Sequence, residues 1–211
     1  MLATFLYYSA LVFEGLIGVF GIRLYEEPRY VVVGDVANRV EIRRYAPRVA
    51  AEVDMTDSGR SEREQAFRLL FAYIAGANQA TTPDGARIAM TAPVEVRDSQ
   101  RLAMTAPVQT QDASDALRMR FFLPAKYSME SAPKPRDSRV HVIAIPEETI
   151  ATLRFSGSVA DFTERESELL RLLAGSPWQP TGAPYALTYD APFTLPFLRR
   201  NEAAVGVVNG R

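Results

Sequence analysis

Apolar residues change their distribution along the chain, from one long continuous segment to short runs separated by polar and proline-containing stretches. Residues 1–22 contain one charged side chain, Glu14, among many large apolar ones. From Tyr30 onward, runs of strand length alternate with two longer segments in which apolar residues recur at helical spacing, as in amphipathic helices. The pattern predicts an apolar N-terminal helix or membrane anchor over residues 1–22 and a globular domain over residues 23–211.

A short apolar phrase that ends in Ala-Pro occurs twice. Ile88–Val94 reads IAMTAPV, and Leu102–Val108 reads LAMTAPV. Because proline cannot donate a hydrogen bond to a β-ladder, each copy is predicted to be a strand that enters a turn or an edge segment. The polar stretch Glu95–Arg101 is predicted to join the two copies, and the second copy is interpreted as an insertion.

A larger repeat relates the two halves of the chain at an offset of 99 residues. The landmark pairs are Pro47 with Pro146, Leu70 with Leu169, Ala75-Gly76 with Ala174-Gly175, and Ala92-Pro93 with Ala191-Pro192. Several landmarks at one offset indicate an internal repeat. Besides the Ala-Pro segments, the predicted strands are Val40–Tyr45, Val49–Met55, Leu117–Leu123, Val140–Ile145, Ile150–Phe155, Tyr185–Tyr189 and Ala203–Val208. The first two are predicted to form a hairpin around Pro47.

Each half also contains one predicted helix. Ser61–Glu64 and Thr163–Glu166 both have the pattern of a capping box, in which the hydroxyl and the carboxylate each bind an otherwise unpaired backbone N–H. Apolar residues at helical spacing follow each motif, and Gly76 and Gly175 are predicted to end the two helices.

The order of these elements predicts an α+β fold. Two β-β-α-β-β units, over residues of about 30–131 and 132–208, are expected to form an antiparallel sheet or a distorted barrel flanked by two helices. The proline-rich segment Ala132–Pro135 is predicted to connect the units. A cleft between two such units is a common place for a ligand.

Composition and charge exclude several classes of function. Lys plus Arg number 24 and Asp plus Glu number 25, so a net charge of −1 gives no reason to expect a nucleic acid partner. The chain has no cysteine, which excludes disulfides, thiol catalysis and cysteine zinc sites. His141 is the sole histidine, which excludes a multi-histidine metal site. No phosphate-binding loop, dinucleotide motif or nucleophile elbow occurs, so no catalytic or metal-binding residue is assigned.

Residues 1–22 are just long enough to span a bilayer as a helix. The apolar side chains outweigh the cost of one acidic residue, Glu14, by a small margin. Arg23 and Arg29 flank the C-terminal side, which favours membrane association with the globular part in the cytoplasm. The alternatives are an uncleaved helix on a soluble domain and a cleaved export signal; no Lys or Arg precedes the apolar stretch, which argues against the signal.

Several phrases, taken in order, resemble the SOUL family of haem-binding proteins. They are Glu26–Tyr30 (EEPRY), Val40–Tyr45 (VEIRRY), both MTAPV phrases, Arg154–Gly157 (RFSG), Tyr189–Pro192 (YDAP) and Arg199–Glu202 (RRNE). The resemblance implies a duplicated fold related to bacterial multidrug-binding regulator domains. It also implies non-covalent binding of haem or a related porphyrin, often without a strong axial ligand, for buffering or transport.

The resemblance places haem contacts on the first helix. There Phe67, Phe71 and Ile74 are candidates for an apolar wall, and Arg63 and Arg68 are candidates for binding the two propionates. The alternative is that the apolar stripe is core and the arginines are solvated.

Three further residues are candidates for contact with the haem iron. Met90 and Met104 are candidates for weak axial ligands or adaptable pocket lining, with core packing as the alternative. His141 is a candidate axial ligand or a structural or exposed residue. In some relatives the histidine proposed as the axial ligand lies in the first half, where this chain has no histidine.

Two other functions stay open. One is a pocket for other flat hydrophobic small molecules. The other is a hydrolase that uses a pocket carboxylate to activate water, for which Glu41, Glu52 and Glu202 are candidates. Arg200 and Glu202 are alternatively predicted to pair with each other, because alternate residues on a strand share a face.

Overall fold

In the computed structural model, residues 25–57, 59–79, 85–97, 117–158, 161–190 and 194–210 are described. The strands are β1 Tyr30–Val36, β2 Val40–Tyr45, β3 Arg48–Met55, β4 Asn78–Gln79, β5 Val94–Arg97, β6 Leu117–Phe122, β7 Lys134–Pro135, β8 Val140–Ile145, β9 Glu148–Phe155, β10 Trp178–Pro180, β11 Tyr185–Thr188 and β12 Asn201–Asn209. The helices are α1 Arg60–Ile74 and α2 Phe162–Leu173, and Pro196–Leu198 forms a turn of 3₁₀-helix.

Antiparallel pairing joins most strands into one sheet, in the order β1-β2-β9-β12-β11-β5-β6-β3-β8, with β10 added beside β12. Strands β4 and β7 form a separate small sheet. The predicted α+β class, with an antiparallel sheet and two helices, is confirmed.

The sheet curls, because strands that are distant in its order are close in the chain. Only Ala46 and Pro47 separate β2, near one end of the order, from β3, near the other. The guanidinium of Arg48 accordingly lies 4.0 Å from the centre of the Tyr45 ring. The hairpin predicted around Pro47 is therefore wrong: β2 and β3 do not pair with each other, and each pairs instead with a strand beyond residue 132.

Both helices cover the same face of the sheet, which we call the outer face. Helix α1 buries Leu70 and Ile74 against apolar side chains of β3 and β6, and α2 buries Leu169 and Leu173 against those of β2, β9 and β12. Leu70 and Leu169 are 0% exposed, and burying such a side chain stabilises a fold by about 1.5–3 kcal/mol. Because side chains alternate along a strand, every second residue points to the opposite, inner face.

The two capping boxes predicted at the helix starts are wrong. Helix α1 begins at Arg60, one residue before Ser61, and its N-cap, Gly59, has no side chain to bind the first turn. Glu64 instead accepts a hydrogen bond of 2.8 Å from Nε of Arg60. Helix α2 likewise begins before its motif, at Phe162, without a side-chain cap. Each helix starts too early for its motif to reach the free N–H groups.

The predicted end of α1 is confirmed. Its last residue is Ile74, and Gly76 follows with a φ of 120°, a left-handed conformation that side chains disfavour and glycine adopts freely.

The first Ala-Pro phrase does not form the predicted strand. Ile88–Met90 lack strand structure, and β5 begins only at Val94, inside the stretch predicted as a polar connector. Charged residues led to that error: Glu95 is 1% exposed because arginine side chains neutralise it, so it is compatible with a central strand. Part of the predicted proline-rich connector also forms a strand, β7.

Some predictions concern residues outside the described ranges. They are the N-terminal helix or anchor over residues 1–22, the second Ala-Pro phrase with Met104, and the landmark Ala191-Pro192. In the part of the chain that the structure describes, no helix has the length and apolarity needed to cross a membrane. The internal repeat stays a prediction, although β2 and β8, and likewise β3 and β9, have equal lengths and begin 100 residues apart.

Candidate functional site

The inner face of the sheet carries a row of mostly polar and charged side chains that crosses seven strands. Cross-strand pairing places its members side by side in the order Arg154, Glu202, Leu187, Glu95, Arg120, Glu52 and His141. Of these seven residues, one is apolar. Two clusters of ion pairs lie along the row, one around Glu202 and one around Glu95.

Glu202 lies at the centre of the first cluster and is 0% exposed. It accepts hydrogen bonds of 2.6 Å from Nη1 of Arg43, 2.9 Å from Nε of Arg200 and 2.8 Å from the hydroxyl of Tyr189. The predicted pairing of Arg200 with Glu202 is thus present. Arg43, itself 3% exposed, also donates to the half-exposed Glu41 over 2.8 Å.

The second cluster surrounds Glu95. Its Oε1 accepts hydrogen bonds of 2.7 Å from Nε of Arg97 and 2.8 Å from Nη1 of Arg120. Arg120 also donates to Glu52. Each buried carboxylate therefore has at least one buried or half-buried guanidinium beside it, which is the condition for keeping a charge inside a fold.

The arginines keep both central carboxylates ionised. Burial by itself would raise the pKa of Glu202, but the hydrogen bond and charge of Arg43, together with Arg200 and Tyr189, hold this pKa below its ordinary value. Burial likewise opposes ionisation of Glu95, and the charges of Arg97 and Arg120 lower its pKa overall. A carboxyl with a lowered pKa is a weak base, which disfavours Glu202 as the residue that activates water.

Aromatic rings pack on the arginines of the inner face. The guanidinium of Arg48 lies 4.0 Å from the ring centre of Tyr45 and 4.6 Å from that of Phe122, and Arg97 lies 4.0 Å from that of Tyr185. Such contacts stabilise a cation where water is scarce. They also create flat apolar surfaces beside the charged row.

A pocket opens between these rings. Side chains from six strands and two loop prolines line it: Pro28, Tyr45, Arg48, Pro93, Glu95, Phe122, Ile150, Tyr185 and Leu187. Its volume is about 220 Å³ when the open mouth is included. That is below the roughly 300–1,000 Å³ of a pocket that encloses a drug-sized ligand. The pocket as it stands therefore does not enclose a whole tetrapyrrole.

The candidate haem residues of α1 lie on the outer face. Ile74 is 4% exposed and belongs to the core. Phe67 and Phe71 are partly buried and stack on each other with ring centres 6.2 Å apart, and Phe67 also contacts the core ring of Phe121. Met90 is partly buried against the same cluster. Phe67, Phe71 and Met90 thus all pack against the core cluster beneath α1.

The two arginines of α1 differ in exposure. Arg68 is exposed and donates to the backbone carbonyl of Glu64 over 3.2 Å, while Arg63 is partly buried. His141 lies on the opposite face of the sheet from these residues. Its neighbours Val140 and Val142 contact the core beneath α1, so the exposed side chain of His141 belongs to the inner face. The candidate residues thus fall on two faces of the sheet.

The sequence contained a pattern that indicates the inner-face network, an acidic and a basic residue two positions apart. At one place, Arg200 and Glu202, this pattern was interpreted as an ion pair. Acidic and basic residues two positions apart occur as Glu41 and Arg43, Glu95 and Arg97, and Arg200 and Glu202. The third pair was predicted. The first two have the same spacing, and both form hydrogen bonds.

The fold is similar to solved structures of low sequence identity. A cryo-EM structure of an EcmrR–DNA complex has a TM-score of 0.57 at 9% identity, and the match covers 80% of this chain and 57% of that chain. This chain thus spans little more than half the length of that protein. An uncharacterized conserved protein from Listeria innocua has a TM-score of 0.56 and a hydrolase from the same organism 0.54, each at 14% identity over 81% of this chain and 92% of theirs. These likenesses establish a shared fold.

Sequence comparisons assign the family. No curated protein matches the chain. The sequence model of the family described as SOUL heme-binding protein matches residues 25–206, which is most of the chain. The protein therefore belongs to the SOUL heme-binding protein family.

Proposed function

We propose that this protein binds haem or a related tetrapyrrole without a covalent bond and thereby buffers or transports it. The observation that carries the proposal is the family match over residues 25–206. A tetrapyrrole is a flat apolar ring with two acidic side chains, so it requires an apolar surface with cations near its edge.

The outer region around α1 has this chemistry. Phe67 and Phe71 stack, and each retains some exposed surface. The exposed Arg68 and the partly buried Arg63 flank them on the same helix and supply the positive charge. Met90, which packs against the same core cluster, is the candidate for a weak axial ligand of the haem iron. Binding here rests on apolar contact, so we expect it to need no iron.

The test is a titration of hemin and of protoporphyrin IX into the full chain. Binding is followed by the Soret band and by quenching of Trp178 fluorescence. We expect both ligands to bind with one-to-one stoichiometry and similar affinity. Binding of hemin alone would contradict the proposal that iron is not needed, and binding of neither would overturn the tetrapyrrole proposal.

A pair of variants locates the site. Phe71→Gln is expected to weaken binding by about 1.5–3 kcal/mol, or roughly 10- to 100-fold, because an apolar contact of one aromatic side chain is lost. The matched control is Phe155→Gln, since Phe155 is also partly buried but packs on Phe162 of α2. Equal loss in both variants would remove α1 as the binding surface.

The alternative ligand class is another flat hydrophobic molecule, for which haem would be a surrogate. Competition between protoporphyrin and chemically unrelated flat dyes separates the two: displacement at comparable concentrations of dye favours the broader class. Membrane association through residues 1–22, with the globular part in the cytoplasm, is part of the proposal, because a tetrapyrrole partitions into membranes. Fractionation of cells that express the chain with and without these residues tests it.

A further inference from the structure

Unpaired polar atoms line the pocket on the inner face. Tyr185 is 2% exposed, and its hydroxyl makes no hydrogen bond to any described residue. Nε of Arg48 is likewise buried without a hydrogen-bond partner in the described ranges. Buried polar atoms are nearly always paired, so two unpaired ones in one pocket indicate a partner that the described part of the chain does not supply.

Glu95 adds an acceptor to the same pocket. Both of its hydrogen bonds, from Arg97 and Arg120, end on Oε1. Within the described part of the chain, Oε2 accepts none. The pocket therefore offers the N–H of Arg48, the hydroxyl of Tyr185 and one carboxylate oxygen.

Charge decides what kind of group fits these atoms. Arg48 is paired with Glu148, and Glu95 is paired with two arginines, so the charges around the pocket are already matched. A further anion would meet the buried Glu95, and a further cation would meet Arg48; neither would have a free counter-ion among these residues. A neutral group avoids both penalties.

The hydrogen-bonding atoms narrow the choice further. Tyr185 keeps its proton, because burial raises the pKa of its hydroxyl. Together with Nε of Arg48 it can donate to a carbonyl oxygen, while Oε2 of Glu95 can accept from an N–H. A primary amide or a lactam presents both. The rings of Tyr45, Phe122 and Tyr185 form walls that suit a flat molecule.

We propose that the inner-face pocket is a binding site for a small planar molecule that carries a neutral amide or lactam group. The amide carbonyl accepts from Tyr185 and Arg48, and its N–H donates to Glu95. The enclosed part of the pocket has room for about one water in the free protein, which can bridge several of these atoms, while the open mouth, within the total of about 220 Å³, takes the ring of the ligand. The site lies on the face opposite α1, so it is independent of the proposed tetrapyrrole surface.

Three ligands of nearly equal shape test the proposal. Benzamide is neutral and has both donor and acceptor, benzoate is an anion with acceptors alone, and benzamidine is a cation with donors alone. Binding to the full chain is measured by saturation-transfer NMR and by titration of tyrosine ring signals. We expect benzamide to bind most tightly of the three.

Two variants assign the contact. Tyr185→Phe is expected to weaken benzamide binding about 2- to 12-fold, the effect of one hydrogen bond. The variant keeps the ring, and it removes a hydroxyl that makes no hydrogen bond to any described residue, so the fold should be retained. Tyr189→Phe is the matched control: Tyr189 also belongs to the inner face, but its hydroxyl donates to Glu202 and it does not line the pocket. Its benzamide affinity is expected to stay within about twofold of the original.

Several results would overturn the proposal. Benzoate or benzamidine binding as tightly as benzamide would show that charge, rather than the donor–acceptor pair, is recognised. Unchanged benzamide affinity in Tyr185→Phe would place the ligand elsewhere. Binding of none of the three would reduce the pocket to a water site. The hemin titration does not enter any of these outcomes, so the two proposals fail separately.

Discussion

The substitution Glu202→Gln tests whether the inner-face charges hold the sheet together. Gln has nearly the same volume as Glu and can still accept a hydrogen bond, so the change removes a charge with little change in packing. Among the described residues, Arg43, which is 3% exposed, then retains only the half-exposed Glu41 as a counter-ion. Arg200 loses the same partner but keeps Glu27, at 3.1 Å.

The expected cost is about 3 kcal/mol of the free energy of unfolding. Removing one member of a buried ion pair typically costs about 3–5 kcal/mol, because the remaining charge stays buried without compensation. The lower end applies here, since the amide oxygen still accepts one bond and Arg43 has a second, weaker partner. With an m-value of about 3 kcal/mol per M, the urea midpoint should fall by about 1 M.

Glu41→Gln is the matched control, because Glu41 binds the same guanidinium from a side chain that is 47% exposed. Solvent screens such a pair, so its loss should cost about 0–1 kcal/mol. Both variants and the original are unfolded in urea at pH 7 and followed by circular dichroism. If the two substitutions cost the same, or Glu202→Gln costs less than about 1 kcal/mol, burial does not set the strength of this network.

Three other predictions follow from the same structure. The folded-state pKa of Glu202 is lowered from 4.5, so the stabilisation of the fold by its carboxylate is complete above pH 4.5 and is lost as the pH falls through the lower folded value. Between pH 5 and 2 the urea midpoint of Glu202→Gln should therefore fall less steeply than that of the original protein, and an equal fall in both would contradict this. Leu70→Ala and Leu169→Ala should each cost about 2–5 kcal/mol with one unfolding transition, since one sheet joins both helices; two separate transitions in scanning calorimetry would show independent halves. Tyr185→Phe should change the free energy of unfolding by less than about 0.5 kcal/mol, while Tyr189→Phe should lower it by about 1–3 kcal/mol because the hydrogen bond to Glu202 is lost. If thermal unfolding showed Tyr185→Phe to be the more destabilised variant, the hydrogen bonds described here would be wrong.

Local pattern predicted most of the elements but not how they pair. Strands β2 and β8 have the predicted bounds, because a proline follows each apolar run within two residues. Each also has a partner in the other half of the chain, β9 for β2 and β3 for β8, and a local pattern contains no information on such distant pairing. The predicted hairpin failed for that reason. The capping boxes failed because each helix begins before its motif.

The inner-face site was largely missed because its residues are charged. A strand such as β5, with the sequence VEVR, resembles an exposed edge until the arginines of β6 are placed beside Glu95. The contact between Arg120 and Glu95 joins two residues that are far apart in the sequence, so it becomes visible only in the folded structure. By contrast, the apolar stripe of α1 was visible at once. Its division into core and partly exposed residues required the packing of β6 against Phe67.

The order of the strands has a consequence for the synthesis of the protein. Strands from the first half form two separate pieces, β1-β2 and β5-β6-β3, and the block β9-β12-β11 from the second half lies between them. A nascent chain that has emerged only to about residue 131 has two sheet fragments with open edges and lacks the strands that lie between them. Strand β12, the last along the described part of the chain, lies between β9 and β11 near the middle of the sheet. The two fragments can therefore join only after β12 has been synthesised, and until then their unpaired edges are the surfaces that a chaperone would have to protect.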